Sequence, residues 1–353
     1  MKTYFEINGK KVTKPIIQGG MGIGISFHNL VSAVLNEGLV GTLSSAQSGF
    51  KSPDHKKNNT EANLRDIKRE IDLVREVNKD GILGVNVMHA TNNYEETVRF
   101  LSECDIDFII SGAGLPTDMY EYIKDSNVKG AVIVSSGRSA NVLLRRWDRK
   151  FNAVPEFVVV EGPLAGGHLG FTKEEMASGK VKNLEELCLE VLDVLKPYNE
   201  KYGRDIPVIA AGGVFTKEDI EKYLAIGCSG VQMATRFICT EECDAHPDYK
   251  QKIVDAKEED IVEIKSPVGY PGRAVYNNLA KELNEVEKLK IKHCYRCLRK
   301  QICNTIDAPY CITEKLGGAV LGDVENGLVF TGALGYKIDK ITTVKELVSE
   351  LLD

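Results

Sequence analysis

Short apolar runs recur along the chain and alternate with charged stretches of helical periodicity. The runs are residues 15–18, 39–43, 82–87, 108–111, 131–135, 157–160, 207–211 and 230–234. Most of them end at Gly, Ser or Asn, and residues 64–77 and 184–195 show the i, i+3, i+4, i+7 spacing of surface helices. Eight such strand–helix units predict an α/β fold, a (β/α)8 TIM barrel. A doubly wound open sheet is the alternative, but strands that end in polar or glycine residues favour closure.

The pattern changes after the eighth run. Residues 241–312 contain acidic and basic runs and four clustered cysteines, and we interpret them as an inserted, mostly helical subdomain. Residues 341–352 have the pattern of an amphipathic helix, capped by Thr342 or Thr343 with Glu346 completing a capping box. We therefore expect a barrel over residues 1–240, a Cys-rich insert over 241–312 and a C-terminal return to the barrel over 313–353.

Composition narrows the class of protein. The 353 residues are 43% hydrophobic and carry a net charge of −6. The chain has no basic block interleaved with aromatic residues, so nucleic acid is not expected as a partner. No apolar run approaches the roughly 18–20 residues that span a bilayer, and residues 1–6 lack the apolar core of a signal peptide. Nine unevenly spread cysteines suit a reducing compartment, so a cytoplasmic protein is expected.

The candidate chemistry lies where the strands end, because barrel enzymes place their sites there. The run 157–160 leads into Gly166, Gly167 and His168. The glycines permit close backbone approach to a ligand, and a histidine suits proton transfer near neutral pH. The alternative is a glycine turn with a chance histidine.

Two further strand ends suggest a ligand. Gly212 and Gly213 follow the seventh run and Thr235 follows the eighth, which is where this fold commonly builds a phosphate cradle from backbone N–H groups. The alternative is a tight turn.

A third strand end carries Asn86, near the end of the third run. Its amide could donate hydrogen bonds to a heterocycle and accept hydrogen bonds from it, and the alternative is that Asn86 forms a turn.

Taken together in this order, the motifs resemble those of the nitronate monooxygenase (2-nitropropane dioxygenase) family, which includes the flavin-dependent enoyl-acyl-carrier-protein reductases. The motifs are PIIQGGMG at 15–22, GVN at 84–86, AGGHLG at 165–170, AAGGV at 210–214 and GVQMATRF at 230–237.

The resemblance implies non-covalent FMN in a barrel, with His168 as the catalytic residue. It places Met21 and Gly22 near the isoalloxazine ring and Asn86, Glu161 and Gly166 in contact with the flavin. The residues that it assigns to the ribityl chain and phosphate are Gly213, Gln232, Met233, Ala234 and Thr235.

Within this class we expect oxidation of nitronates, with His168 as base or hydrogen-bond donor to the nitro group. The alternatives are an NAD(P)H-dependent enoyl-thioester reductase and a quinone reductase. A non-enzymatic flavin-binding protein is a further alternative, which His168 on a double-glycine loop disfavours. The expected partner is a small-molecule or acyl-thioester substrate. Neither nucleic acid nor a membrane is expected as a partner. The sequence is compatible with a homodimer.

Four cysteines lie close together in the sequence of the insert, at Cys294, Cys297, Cys303 and Cys311. Four thiolates suit tetrahedral Zn²⁺ or an iron–sulfur cluster. Their spacing matches neither a zinc ribbon nor a standard ferredoxin run, and the alternative is a set of reduced, partly buried thiols.

Overall fold

A computed structural model describes residues 3–353, so Met1 and Lys2 of the N-terminal segment considered above lie outside the described residues. The strands, in chain order, are β1 (Phe5–Ile7), β2 (Lys10–Val12), β3 (Ile16–Gln18), β4 (Gly41–Ser44), β5 (Leu83–Met88), β6 (Phe108–Gly112), β7 (Lys129–Val134), β8 (Val158–Glu161), β9 (Gly167–His168), β10 (Val208–Ala211), β11 (Gly230–Met233), β12 (Ile261–Ile264) and β13 (Gly272–Val275).

The helices, in chain order, are α1 (His28–Asn36), α2 (Asn59–Val77), α3 (Tyr94–Leu101), α4 (Met119–Ile123), α5 (Gly137–Phe151), α6 (Lys173–Ala177), α7 (Leu184–Tyr202), α8 (Lys217–Ala225), α9 (Thr235–Ile238), α10 (Pro247–Val254), α11 (Asn278–Glu285), α12 (Ile312–Val320) and α13 (Val344–Leu352). Over residues 3–353, none of these helices combines the length and apolar character needed to cross a membrane.

The eight predicted strands form one parallel sheet in the described chain. Its order is β3-β11-β10-β8-β7-β6-β5-β4, and a parallel bridge between Ile17 and Val40 brings the two edge strands together. The sheet is therefore a barrel, which confirms the predicted fold over the open-sheet alternative. Its strands are buried almost throughout, as expected of a parallel sheet covered by helices on its outer face.

Two apolar layers hold the barrel together. The outer layer packs the strands against the surrounding helices, with Trp147 of α5 and Leu347 of α13 both fully buried. The inner layer fills the N-terminal end of the barrel, where Phe5 and Ile7 of the β1–β2 hairpin pack with Phe108 and Phe157. Because this end is filled with side chains, the opposite end is the one left for a site.

Helix ends follow the predicted capping chemistry. The N-cap of α13 is Thr343, whose hydroxyl accepts from the Glu346 amide while the Glu346 carboxylate accepts from the Thr343 amide. Asn183 and Glu186 form the same reciprocal box at the start of α7. The local sequence therefore specifies where these helices begin.

The segment that follows β11 is not mostly helical, contrary to our prediction. Between residues 241 and 312 it contains α10, the antiparallel hairpin β12–β13, α11, and an irregular stretch over residues 286–311. The hairpin is stabilised by a partner distant in sequence, because β13 pairs with β9. Charged runs in this segment suggested helices, but pairing with the barrel loop decides the strands. The division of the chain at residues 240 and 312 stays a prediction.

Candidate active site

One large cavity opens at the C-terminal end of the barrel strands. It is lined by all eleven residues that the sequence assigned to catalysis or flavin binding: Met21, Gly22, Asn86, Glu161, Gly166, His168, Gly213, Gln232, Met233, Ala234 and Thr235. These residues come from the ends of β3, β5, β8, β10 and β11 and from the β9 loop. The structure thus brings them together, and their individual roles are taken up as proposals below.

Glycines let the cavity wall approach a ligand on the β10 side. Gly212 and Gly213 both have left-handed backbone, with φ of 86° and 100°. A Cβ on Gly213 would lie 3.0 Å from the Leu164 side chain, and one on Gly166 would lie 2.5 Å from the Thr331 carbonyl carbon. Side chains at these positions would collide with neighbouring protein atoms, so this path of the cavity wall requires glycine.

Two amide side chains, those of Asn86 and Gln232, also line the cavity. A Cβ on Gly20 would lie 2.5 Å from the Cβ of Asn86, and one on Gly19 would lie 3.3 Å from the Gln232 side chain. The absence of side chains at these two glycines therefore makes room for the two amides, each of which can both donate and accept hydrogen bonds.

His168 is held between two groups from distant parts of the chain. Its Nε2 lies 2.9 Å from the Ser266 hydroxyl, and its ring meets that of Phe330 edge to face at a centroid distance of 5.1 Å. Burial lowers the pKa of His168 to about 4. The imidazole is therefore neutral at physiological pH, with one ring nitrogen as donor and the other as acceptor.

Glu161 is the second titratable group on the cavity wall. It is the last residue of β8, and burial raises the pKa of its carboxyl to about 7. Near neutral pH a large share of this carboxyl is therefore protonated, so that it can donate as well as accept a hydrogen bond.

The sequence-based assignment missed the segment that follows α12. Phe330, Thr331, Gly332, Leu334 and Gly335 line the cavity, and the amide of Gly332 donates to the Thr235 hydroxyl at 2.9 Å. Thr331 is 1% exposed, and its hydroxyl has no hydrogen-bond partner among the residues that the structure describes. The glycines at 332 and 335, closely spaced after an apolar run, were the available signal.

The four clustered cysteines are not among the residues that line this cavity. Cys294 is exposed, whereas Cys297, Cys303 and Cys311 are partly buried. Nowhere in residues 3–353 do three or more His, Cys, Asp or Glu side chains form a group that could hold a metal ion. The predicted zinc or iron–sulfur site is thus not supported. The segment instead contacts a barrel loop: the Asn92 amide donates to the Cys297 carbonyl, and Leu298 forms an antiparallel β-bridge with Thr91.

Comparison with known proteins shows which family the sequence matches. The family model described as nitronate monooxygenase matches residues 5–353. A probable nitronate monooxygenase of Bacillus subtilis (strain 168) is 28% identical over 311 residues, covering 81% of this chain and 83% of the relative. One from Staphylococcus aureus (strain JH9) is 26% identical over 310 residues, covering 77% and 78%.

Two solved structures have a similar fold over all or nearly all of this chain. FabK from Thermotoga maritima has a TM-score of 0.74 at 26% identity, covering 100% of this chain and 95% of that one. The nitroalkane oxidase from Streptomyces ansochromogenes has a TM-score of 0.70 at 20% identity, covering 96% and 95%, and supports the fold. Since the family model spans nearly the entire sequence, this chain is an enzyme that belongs to the flavin-dependent nitronate monooxygenase family.

Proposed function

We propose that this protein is an FMN-dependent oxidoreductase that oxidises nitronates, with His168 as its catalytic residue. The observation that carries the proposal is a neutral, buried imidazole in the same cavity as the glycine cradle of β10. The cradle suits a phosphate-bearing ligand, and the imidazole suits the reacting group of a second ligand.

The residues present fit FMN. The residues that would hold the ribityl chain and phosphate are Gly213, Gln232, Met233, Ala234 and Thr235, because they line the cavity at the ends of β10 and β11, where this fold commonly binds phosphate. The buried Thr331 hydroxyl, which lacks a partner within the described chain, is a polar atom that a ligand would satisfy.

The flavin ring would lie against the remaining polar residues. Met21 and Gly22 would flank it, while Asn86, Glu161 and Gly166 would contact its edge. The chemistry that bound FMN would supply is electron transfer.

The pKa of His168 favours one of its two predicted roles. An imidazole with a pKa of about 4 is a weak base, ill suited to removing a proton from carbon at neutral pH. A nitronate has already lost that proton and carries its negative charge on the nitro oxygens. A neutral imidazole N–H would orient it as a hydrogen-bond donor. The low pKa therefore supports the role of His168 as hydrogen-bond donor to a nitronate rather than as base.

The second candidate is NAD(P)H-dependent reduction, either of an enoyl thioester or of a quinone. The likeness to FabK over the entire chain is the observation in favour of the enoyl reductase. In that reaction His168 would orient the thioester carbonyl or deliver a proton.

Anaerobic reduction of the purified protein separates these candidates. The FMN-loaded protein is mixed in turn with propyl-2-nitronate, NADH and NADPH, and the flavin absorbance is followed. We expect the nitronate to bleach the flavin and both nicotinamides to leave it oxidised. Bleaching by a nicotinamide alone would replace the proposal with a reductase, after which crotonyl thioester and a benzoquinone identify the acceptor. A protein that binds no flavin would overturn both.

A further inference from the structure

The hairpin β12–β13 reaches from the segment after the barrel to the catalytic loop. Gly272 pairs with His168 and Arg273 with Gly167, and the Leu169 amide donates to the Pro271 carbonyl at 3.0 Å. The backbone of His168 is therefore one strand of a small three-stranded sheet. The hairpin connection, residues 265–271, lies beside the imidazole.

A buried arginine fixes this hairpin to the catalytic loop. Arg273 is 7% exposed, and its guanidinium donates to the carbonyls of Pro163 at 2.7 Å and Ala165 at 2.6 Å. It also forms an ion pair with Glu263 across the hairpin at 3.1 Å. Charge-assisted bonds of this kind are stronger than neutral ones, so the hairpin and the loop hold a defined relative position.

The Ser266 hydroxyl is the hairpin group that touches the imidazole. Its Oγ lies 2.9 Å from Nε2 of His168 and accepts from the Val268 amide at 3.3 Å. The neighbouring Tyr310 hydroxyl donates its proton to the Lys265 carbonyl at 3.0 Å, so it offers Ser266 only a lone pair. A neutral imidazole nitrogen is a much stronger base than a phenol oxygen, so of these two acceptors Nε2 is the better one for the serine proton.

We infer that Ser266 is a positioning residue, which donates to Nε2 of His168 and so keeps the ring proton on Nδ1. Ser266 and Phe330 fix the orientation of the ring, and Ser266 selects its tautomer. The Nδ1–H group is then the donor available to the oxygen of a bound substrate. This inference rests on the proposed role of His168, and it extends the active site to a residue 98 positions further along the chain.

The ring nitrogens report the tautomer directly. The FMN-loaded protein, labelled with ¹⁵N in its histidines, is recorded by two-bond ¹H–¹⁵N correlation at pH 7, and His168 is identified by its loss in His168→Gln. We expect the shift of a protonated nitrogen at Nδ1 and that of an acceptor at Nε2. A proton on Nε2 in the wild-type protein overturns the inference, and this result needs no substitution at Ser266.

Variants then test whether Ser266 is the cause. Ser266→Ala should give a tautomer mixture, whereas Ser266→Thr should restore the Nδ1–H form. Ser135→Ala is the matched control, because its hydroxyl donates to Gly170 of the same loop at 3.1 Å without touching the imidazole. An unchanged tautomer in Ser266→Ala also overturns the inference.

Turnover is measured with whichever reductant bleaches the flavin. Misplacing a catalytic group costs on the order of 10- to 100-fold in rate. We expect Ser266→Ala to lose about that much in kcat, with KM and flavin content close to wild type. A kcat equal to that of wild type would make Ser266 dispensable. If propyl-2-nitronate fails to bleach the flavin while the tautomer is as stated, the proposed substrate is wrong and the placement of Ser266 stands.

Discussion

Burial shifts the pKa values of His168 and Glu161 in opposite directions but towards the same electrical state. The pKa of the imidazole falls to about 4 and that of the carboxyl rises to about 7, in both cases because burial penalises the charged form. At physiological pH the imidazole is therefore neutral, and the carboxyl is a mixture of its protonated and ionised forms.

The depressed pKa of His168 has a measurable consequence for stability. Between pH 6.5 and about 4 the unfolded chain binds a proton at this residue and the folded chain does not, so acidification destabilises the fold. The loss reaches on the order of 3 kcal/mol at the lower end of this window. His168→Gln lacks this contribution, so its stability deficit relative to wild type should shrink as the pH falls.

Urea unfolding of both proteins at pH 7.5, 6, 5 and 4 measures this difference in the free energy of unfolding. His246→Gln, which removes an imidazole from the surface, serves as the matched control. A deficit that stays constant across the window would mean that His168 titrates alike in the folded and unfolded chain.

At the scale of elements, the site depends on how the strands end. β10 ends in two glycines with left-handed backbone, and β11 ends at Met233, just before Ala234 and Thr235. The two strands are neighbours in the sheet, with Ala211 paired to Gln232, so their ends lie side by side. Parallel pairing thus converts two separate motifs into one cradle.

Gly213→Asp tests this cradle. The added side chain would crowd Leu164 and force a φ of 100° on a residue with a Cβ. It would also place a negative charge near the proposed phosphate, at a cost of about 1–4 kcal/mol for like charges about 4 Å apart. We expect FMN to bind at least about tenfold more weakly, as measured by flavin fluorescence during titration of the apoprotein.

Gly203→Asp is the control for strain and charge. Gly203 also has positive φ, and a Cβ there would meet nothing within 4 Å. If FMN affinity falls equally in both variants, the assignment of the phosphate to the β10 loop is wrong.

At the scale of the whole molecule, the C-terminal segment completes both the barrel and its cavity. Five of the residues 330–335 line the cavity, and α13 then packs against α1 and α8 on the outside of the barrel. Leu347 and Leu351 of this helix are buried in the core between strands and helices. The last part of the chain therefore contributes to the site and to the stability of the barrel in succession.

Leu347→Ala should destabilise the protein by about 2–5 kcal/mol, because it leaves a cavity in a packed core. Chemical denaturation measures the loss, and Lys345→Ala on the exposed side of the same helix is the control. Flavin content in native buffer should stay at the wild-type ratio. A loss below about 1 kcal/mol would show that α13 contributes little to barrel stability.

Local patterns were enough to predict much of this protein. All eight barrel strands lie at the predicted apolar runs, and of the two caps considered for α13 the structure has Thr343. Three signals depend only on neighbouring residues: apolar runs between charged stretches, glycine at strand ends, and reciprocal capping. They can therefore be recognised from the sequence alone. The family resemblance, which also rests on short motifs, is confirmed.

Only the tertiary structure could show what comes to the site from far along the chain. Ser266 meets His168 across 98 residues, and Arg273 reaches Ala165 across 108. The hairpin β12–β13 lies where helices were predicted, and β13 pairs with β9 from the catalytic loop. The segment that carries the cysteines touches the loop after β5 through Cys297 and Leu298. In each case the deciding interaction joins residues that no local pattern relates. The sequence by itself therefore determined the barrel and its strand-end chemistry, whereas folding decided which distant groups surround the imidazole.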